Sequence, residues 1–124
     1  MTYIILLILA HYIGDYALQN SYIAAFKSKD NYVLFAHCAI WTFVMTVVSN
    51  WIGLVDIHSS SDIIKVVFVL LIPHIIIDYI KGRGVLWCSS SFCSKVGLTS
   101  EHTLYIDQFL HLVQIIVFFI IISL

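Results

Sequence analysis

Residues able to do chemistry recur at one spacing along this chain. His11, Asp15 and Gln19 stand four apart in "HYIGDYALQ", and His74, Asp78 and Lys81 follow a similar step in "HIIIDYIK". Asp107, His111 and Gln114 repeat it in "DQFLHLVQ", and His37 adds an isolated imidazole. Side chains three or four apart share one face of a helix, so each set reads as a polar stripe. Imidazole and carboxylate together are the donor set of zinc, manganese or iron, and carboxylate-rich sites also take magnesium.

The elements that must position these stripes are apolar. The 124 residues are 61% hydrophobic and only 10% charged, with mean hydropathy +1.01. A soluble domain carries about 25% charged residues, so the composition indicates an integral membrane protein. Four continuous apolar runs, near 2–25, 32–55, 62–80 and 103–124, each have the length of a spanning helix. The runs do not alternate, which argues against a β-barrel. The expectation is a single all-α transmembrane domain over 1–124, a four-helix bundle of two hairpins, with a longer loop over about 82–102. The first run lacks a basic leader and a cleavage signal, so it reads as a retained helix. Ser61 or Asp62 is the expected cap of the third helix, and Thr99 or Ser100 of the fourth. Pro73, just before His74, is expected to kink the third helix and free a carbonyl near the polar stripe.

Charge sets the orientation. Lys27 and Lys29 lie between the first two runs, and Lys81, Arg83 and Lys95 between the last two, whereas Lys65 alone lies on the other side. By the positive-inside rule both of those loops are cytoplasmic, in a bacterial inner membrane, and both termini face outward. His11 and Asp15 then end the first helix, His37 starts the second, His74 and Asp78 end the third, and Asp107 and His111 start the fourth. All seven converge on the cytoplasmic leaflet, although none of them was used to orient the chain. The two hairpins carry similar polar cargo at similar places, which reads as a pseudo-repeat.

An ionisable group in a spanning helix costs about 2.5–3.5 kcal/mol on insertion scales, so seven must pair or bind something. His11, Asp15, His37, His74, Asp78, Asp107 and His111 are the expected ligands of one or two divalent ions. Asp15, Asp78 and Asp107 are the candidates for catalysis, because a carboxylate that does not ligate can serve as general base. Gln19 and Gln108 would orient ligands or substrate. Lys81 and Arg83 suggest a phosphate clamp at headgroup level. The three cysteines form no metal framework: Cys38 joins Thr42, Thr46 and Ser49 in a small-residue packing stripe, and Cys88 and Cys93 fall in the 82–102 loop. Trp41 and Trp51 read as core and interface anchors.

The ordered set "HYIGDYALQ", His37, "HIIIDYIK" and "DQFLH" resembles the pattern of a bacterial and phage membrane family catalogued as domain of unknown function 3307. The likeness runs from His11 to His111. That family is distantly similar to inner-membrane metal-dependent hydrolases with H-x-x-x-D pairs, and this link would imply a metal-dependent hydrolase. Its depth in the bilayer would favour a lipid-linked or phosphoester substrate among membrane lipids; nothing points to nucleic acid, and a homo-oligomer suits a chain this small. A proton or metal-ion transporter or channel is the competing reading, although the outer segments "TYIILLIL" and "VQIIVFFIIISL" offer a pore almost no polar groups. A third reading is a non-catalytic phage or host accessory protein with a structural metal.

Overall fold

A computed structural model describes residues 2–83 and 100–124, with side chains of the last helix from Leu104 onward. The protein is all-helical, with no strand among the described residues. Helix α1 covers Thr2–Ala17, α2 Ser21–Phe26, α3 Asn31–Trp51, α4 Ser60–Gly82 and α5 Ser100–Ile122. Three stretches are long and apolar enough to cross a membrane: Asn31–Trp51, Ser60–Gly82 and Leu104–Ile122. Large apolar side chains such as Ile5, Phe43, Phe68 and Ile120 point outward, as a lipid-facing surface requires.

The first apolar run is not one helix. It ends at Ala17, and after a break at 18–20 the Asn20 side chain caps α2 by accepting from Ile23 N (2.8 Å). The break follows a wide turn, Ile13–Ala17, closed by Leu18 N donating to Ile13 O. Asp30 caps α3 by accepting from Tyr32 N (2.7 Å) and Val33 N (3.3 Å). Gly53 ends that helix at φ +74°, and Leu54 N returns to Ser49 O (2.8 Å) while Gly53 N bonds Asn50 O. This paired closure is the Schellman arrangement, which needs a residue tolerant of positive φ. The cap of α4 is Ser59 rather than Ser61 or Asp62: its hydroxyl accepts from Asp62 N, and the freed Asp62 carboxylate instead accepts from Asp56 N (3.1 Å). The expected 82–102 loop, with Cys88, Cys93 and the Thr99 cap, lies almost wholly outside the described residues.

Helix α4 contains a second wide turn, Val67–Leu71, directly before Pro73. Proline brings no N–H, so a carbonyl in the preceding turn loses its helical donor. The Gln114 amide of α5 supplies donors there, to Val69 O (3.1 Å) and Leu70 O (2.7 Å). The kink expected at Pro73 is thus a widened turn tied to the neighbouring helix. Helices α1 and α4 each pack against both α3 and α5. Leu7, Ala10, Trp41, Met45, Leu70, Ile115, Phe118 and Ile122 fill one end of this packing. The histidines and aspartates fill the other.

Candidate metal centre

Trp41 separates the two ends. It is fully buried, and its ring lies flat on His74, centroids 3.9 Å apart and planes 7° from parallel. Gly14 allows this, because a Cβ there would sit 2.8 Å from Trp41 Cδ1 and 3.2 Å from its Cα. The Trp41 indole N–H donates to His11 Nδ1 (2.9 Å). An indole can only donate, so the neutral His11 ring carries its proton on Nε2. That nitrogen faces Gln108 Oε1 (3.4 Å), and the Gln108 amide in turn donates to Asp107 Oδ2 (3.3 Å). Trp41, His11 and Gln108 thereby form a one-way chain of donors ending on Asp107. His11 joins the cluster with both nitrogens hydrogen-bonded, and its Nε2 also lies 3.8 Å from Asp15 Oδ2.

Three carboxylates converge with the other imidazoles. Asp15, on the wide turn of α1, meets His37 Nε2 at 3.1 Å and His74 Nε2 at 3.8 Å. Asp78 Oδ2 lies 3.3 Å from His37 Nε2, and Asp78 Oδ1 lies 3.7 Å from His111 Nε2. His111 Nδ1 donates to the Asp107 backbone carbonyl (2.9 Å), which fixes its proton on that nitrogen and leaves Nε2 as a lone pair. The six residues fall into two adjacent triads, Asp15–His37–His74 and Asp78–Asp107–His111. Within each, one ligand atom per residue lies within 4.8 Å of the other two. Cys38 also offers its thiol within that distance of His74 and Asp78.

Some of these atoms have no hydrogen-bond partner among the described residues. Both ring nitrogens of His74, His111 Nε2 and Asp107 Oδ1 are buried and unpartnered. A buried polar atom left unmade costs about 1–3 kcal/mol, so four in one place is an arrangement that asks for a ligand.

Two lysines offset part of the carboxylates' negative charge. Lys81 bonds Asp107 Oδ2. Lys27, from the turn after α2, bonds Asp78 Oδ2 (3.0 Å) and sits 3.2 Å from His37 Nε2. From spacing alone Lys27 reads as no more than a membrane-surface charge, because it lies outside every helical stripe. Arg83, expected beside Lys81, turns away: it bonds Asn31 Oδ1 (2.6 Å) and lies over the Tyr79 ring. Gln19 is half-buried with its Oε1 unpartnered and touches none of these residues through a hydrogen bond. Trp41 was also missed as a site residue, although its place four after His37 puts it on the same face of α3.

The chain belongs to the family described as "Protein of unknown function (DUF3307)", whose model matches residues 3–124. No curated protein and no solved structure matches it.

Proposed function

We propose that this DUF3307 member is a membrane-embedded, metal-dependent hydrolase acting on a lipid-linked or phosphoester substrate. Its four long helices form a bundle of two pseudo-repeated hairpins in the bacterial inner membrane, with termini outside and the His/Asp end in the cytoplasmic leaflet. The observation that carries the reading is the set of buried, unpartnered donors: the His74 nitrogens, His111 Nε2 and Asp107 Oδ1. Their mixed nitrogen and oxygen character suits zinc, manganese or iron, with magnesium as the carboxylate-led choice. Asp15, His37, His74, Asp78, Asp107 and His111 would hold one or two ions, and His11 and Gln108 would keep Asp107 turned inward.

A divalent ion in such a site supplies a nucleophilic water at neutral pH, with a pKa near about 7 on zinc. The residues then divide the work. Whichever of Asp15, Asp78 and Asp107 does not ligate would take the proton of that water, and Trp41 closes the site against the apolar end. Among the described residues the other end is filled by packed side chains, so substrate would reach the site from the polar end of the helices. That asymmetry suits a hydrolase better than a pore.

The test is metal content by mass spectrometry of protein purified without chelator, beside an Asp15→Ala/His74→Ala variant. Stoichiometric zinc, manganese or iron in the wild type and its loss in the variant is the expected outcome. A well-folded wild type that takes up no divalent ion, even on addition, sinks the proposal. The lysine–aspartate pairs favour one competing reading, a metal-free proton path. Proton flux across liposomes carrying the chelated protein would establish that instead.

A further inference from the structure

Lys27 and Lys81 stand at the outer rim of the polar cluster. Their side chains are 20% and 35% exposed, while the carboxylates they bond, Asp78 and Asp107, are 2% and 3% exposed. The Lys27 turn reaches this place because Gly82 has no side chain. A Cβ on Gly82 would lie 3.0 Å from Ser28 Cβ and 3.1 Å from Ser28 Cα. Each lysine takes the Oδ2 atom of its aspartate, and each aspartate turns its Oδ1 to His111, at 3.7 Å in both cases. Both Oδ2 atoms therefore face ammonium groups, that of Asp78 together with the His37 imidazole (3.3 Å), while both Oδ1 atoms face His111.

Charge counting gives this layering a consequence. With neutral imidazoles, Asp15, Asp78 and Asp107 against Lys27 and Lys81 leave one net negative charge. A divalent ion among the inner atoms turns that into one net positive charge, held where the surroundings are poorly polarisable and unbalanced charge is costly. A singly charged anion at the rim restores neutrality, and a phosphodiester carries that charge.

We propose that Lys27 and Lys81 are the anion-binding groups of this site. They hold Asp78 and Asp107 in the metal-free protein. When a divalent ion binds, they turn to the phosphoryl oxygens of a phosphodiester, so metal and anion bind cooperatively. This inference rests on the metal reading above and names the substrate class that the reading leaves general. Lys27 takes the part that sequence alone assigned to Arg83.

The experiment is a manganese titration of the full chain in dodecyl maltoside, followed by loss of the free-ion electron paramagnetic resonance signal. One arm adds dimethyl phosphate, a soluble diester; another adds phosphatidylglycerol, the same chemistry on a lipid. In the wild type at least one arm should tighten manganese binding about 5-fold or more, the lower range of ordinary coupling. A response to lipid alone assigns the source to a headgroup, and a response to both assigns it to diesters in general. In Lys27→Gln/Lys81→Gln, manganese alone should bind more tightly than in the wild type, and the effect of either diester should fall below about 2-fold. Glutamine keeps a hydrogen bond to each aspartate, and a melting curve checks the fold; each single variant repeats the measurement should the double variant fail to fold. Arg83→Gln should behave as wild type. Manganese binding that neither diester changes, or that responds equally in the lysine variants, overturns this proposal and leaves the metal reading standing. No manganese binding in the wild type removes both.

Discussion

The two ends of the helix packing solve the same problem with opposite chemistry. At one end Leu7, Met45, Leu70, Ile115 and Phe118 interlock with no exposure. At the other, almost as deeply buried, His11, His37, His74 and His111 meet Asp15, Asp78 and Asp107. Between helices that would span a membrane, the apolar end gains little from the hydrophobic effect, because lipid tails are as apolar as leucine. It holds by close packing. The polar end holds by largely buried ion pairs and hydrogen bonds, yet it leaves four ligand atoms without a hydrogen-bond partner among the described residues. One end is built for cohesion alone, and the other gives up some cohesion to keep atoms available.

Asp78→Ala should show the largest effect, at the polar end. It strands the Lys27 ammonium and removes one of the two carboxylates beside His37, leaving Asp15. Breaking a buried pair by deleting one partner costs about 3–5 kcal/mol. Denaturation in detergent should show a loss of that size, with divalent-ion binding abolished. A loss under about 1 kcal/mol would mean that the pair is solvated and the polar end is not a closed interior.

Leu70→Ala probes the opposite end and should cost less. Leucine is as comfortable in lipid as between helices, so the transfer contribution shrinks and the void remains. A loss of about 2 kcal/mol is expected, at the low end for such truncations. Metal affinity should stay at the wild-type value. If it fell with stability, the two ends would be one cooperative unit and the comparison would fail.

Gly14→Ala acts on the boundary. The added Cβ meets Trp41 at 2.8 Å, and Trp41 serves both ends through its stack on His74 and its bond to His11. Overpacking of this kind costs about 1–2 kcal/mol. Unlike Leu70→Ala it should weaken metal binding too, since both histidines lean on the displaced ring. Trp41→Phe in the same assay keeps the stack and deletes the bond, which separates the two contributions.

Much of the polar end could be read from the chain. The i, i+4 spacing of His11 with Asp15, His74 with Asp78, and Asp107 with His111 is a helical signal, and opposite helix directions bring these pairs to one level. What escaped reading depends on contacts between elements. Lys27 has no periodic partner, and its place in the site follows from the bare backbone of Gly82 against Ser28. His11 was legible as a polar group of the site but its tautomer was not, because its proton is set by Trp41 on another helix. The wide turns Ile13–Ala17 and Val67–Leu71 leave no signature in an apolar run, yet they sit beside Asp15 and Pro73. Such turns are frequent at functional sites, where they re-aim side chains at a cost to the helix. The break after Ala17 was hidden for the same reason: hydropathy continues through it while the backbone does not.

His74→Phe should change stability least and says most about what the polar end is for. The phenyl ring keeps the flat stack on Trp41 and removes two buried nitrogens that have no partner. Replacing an unsatisfied polar group by an apolar one of similar shape is nearly neutral or stabilising. The melting temperature in chelator should therefore hold or rise, while divalent-ion binding should be lost. Added metal would raise the melting temperature of the wild type alone, because an ion that binds only the folded state stabilises it by mass action. A clear drop in stability of the chelated variant would show that the imidazole is already satisfied in the metal-free protein. The polar end would then be a second kind of core, and the contrast with the apolar end would lose its functional meaning.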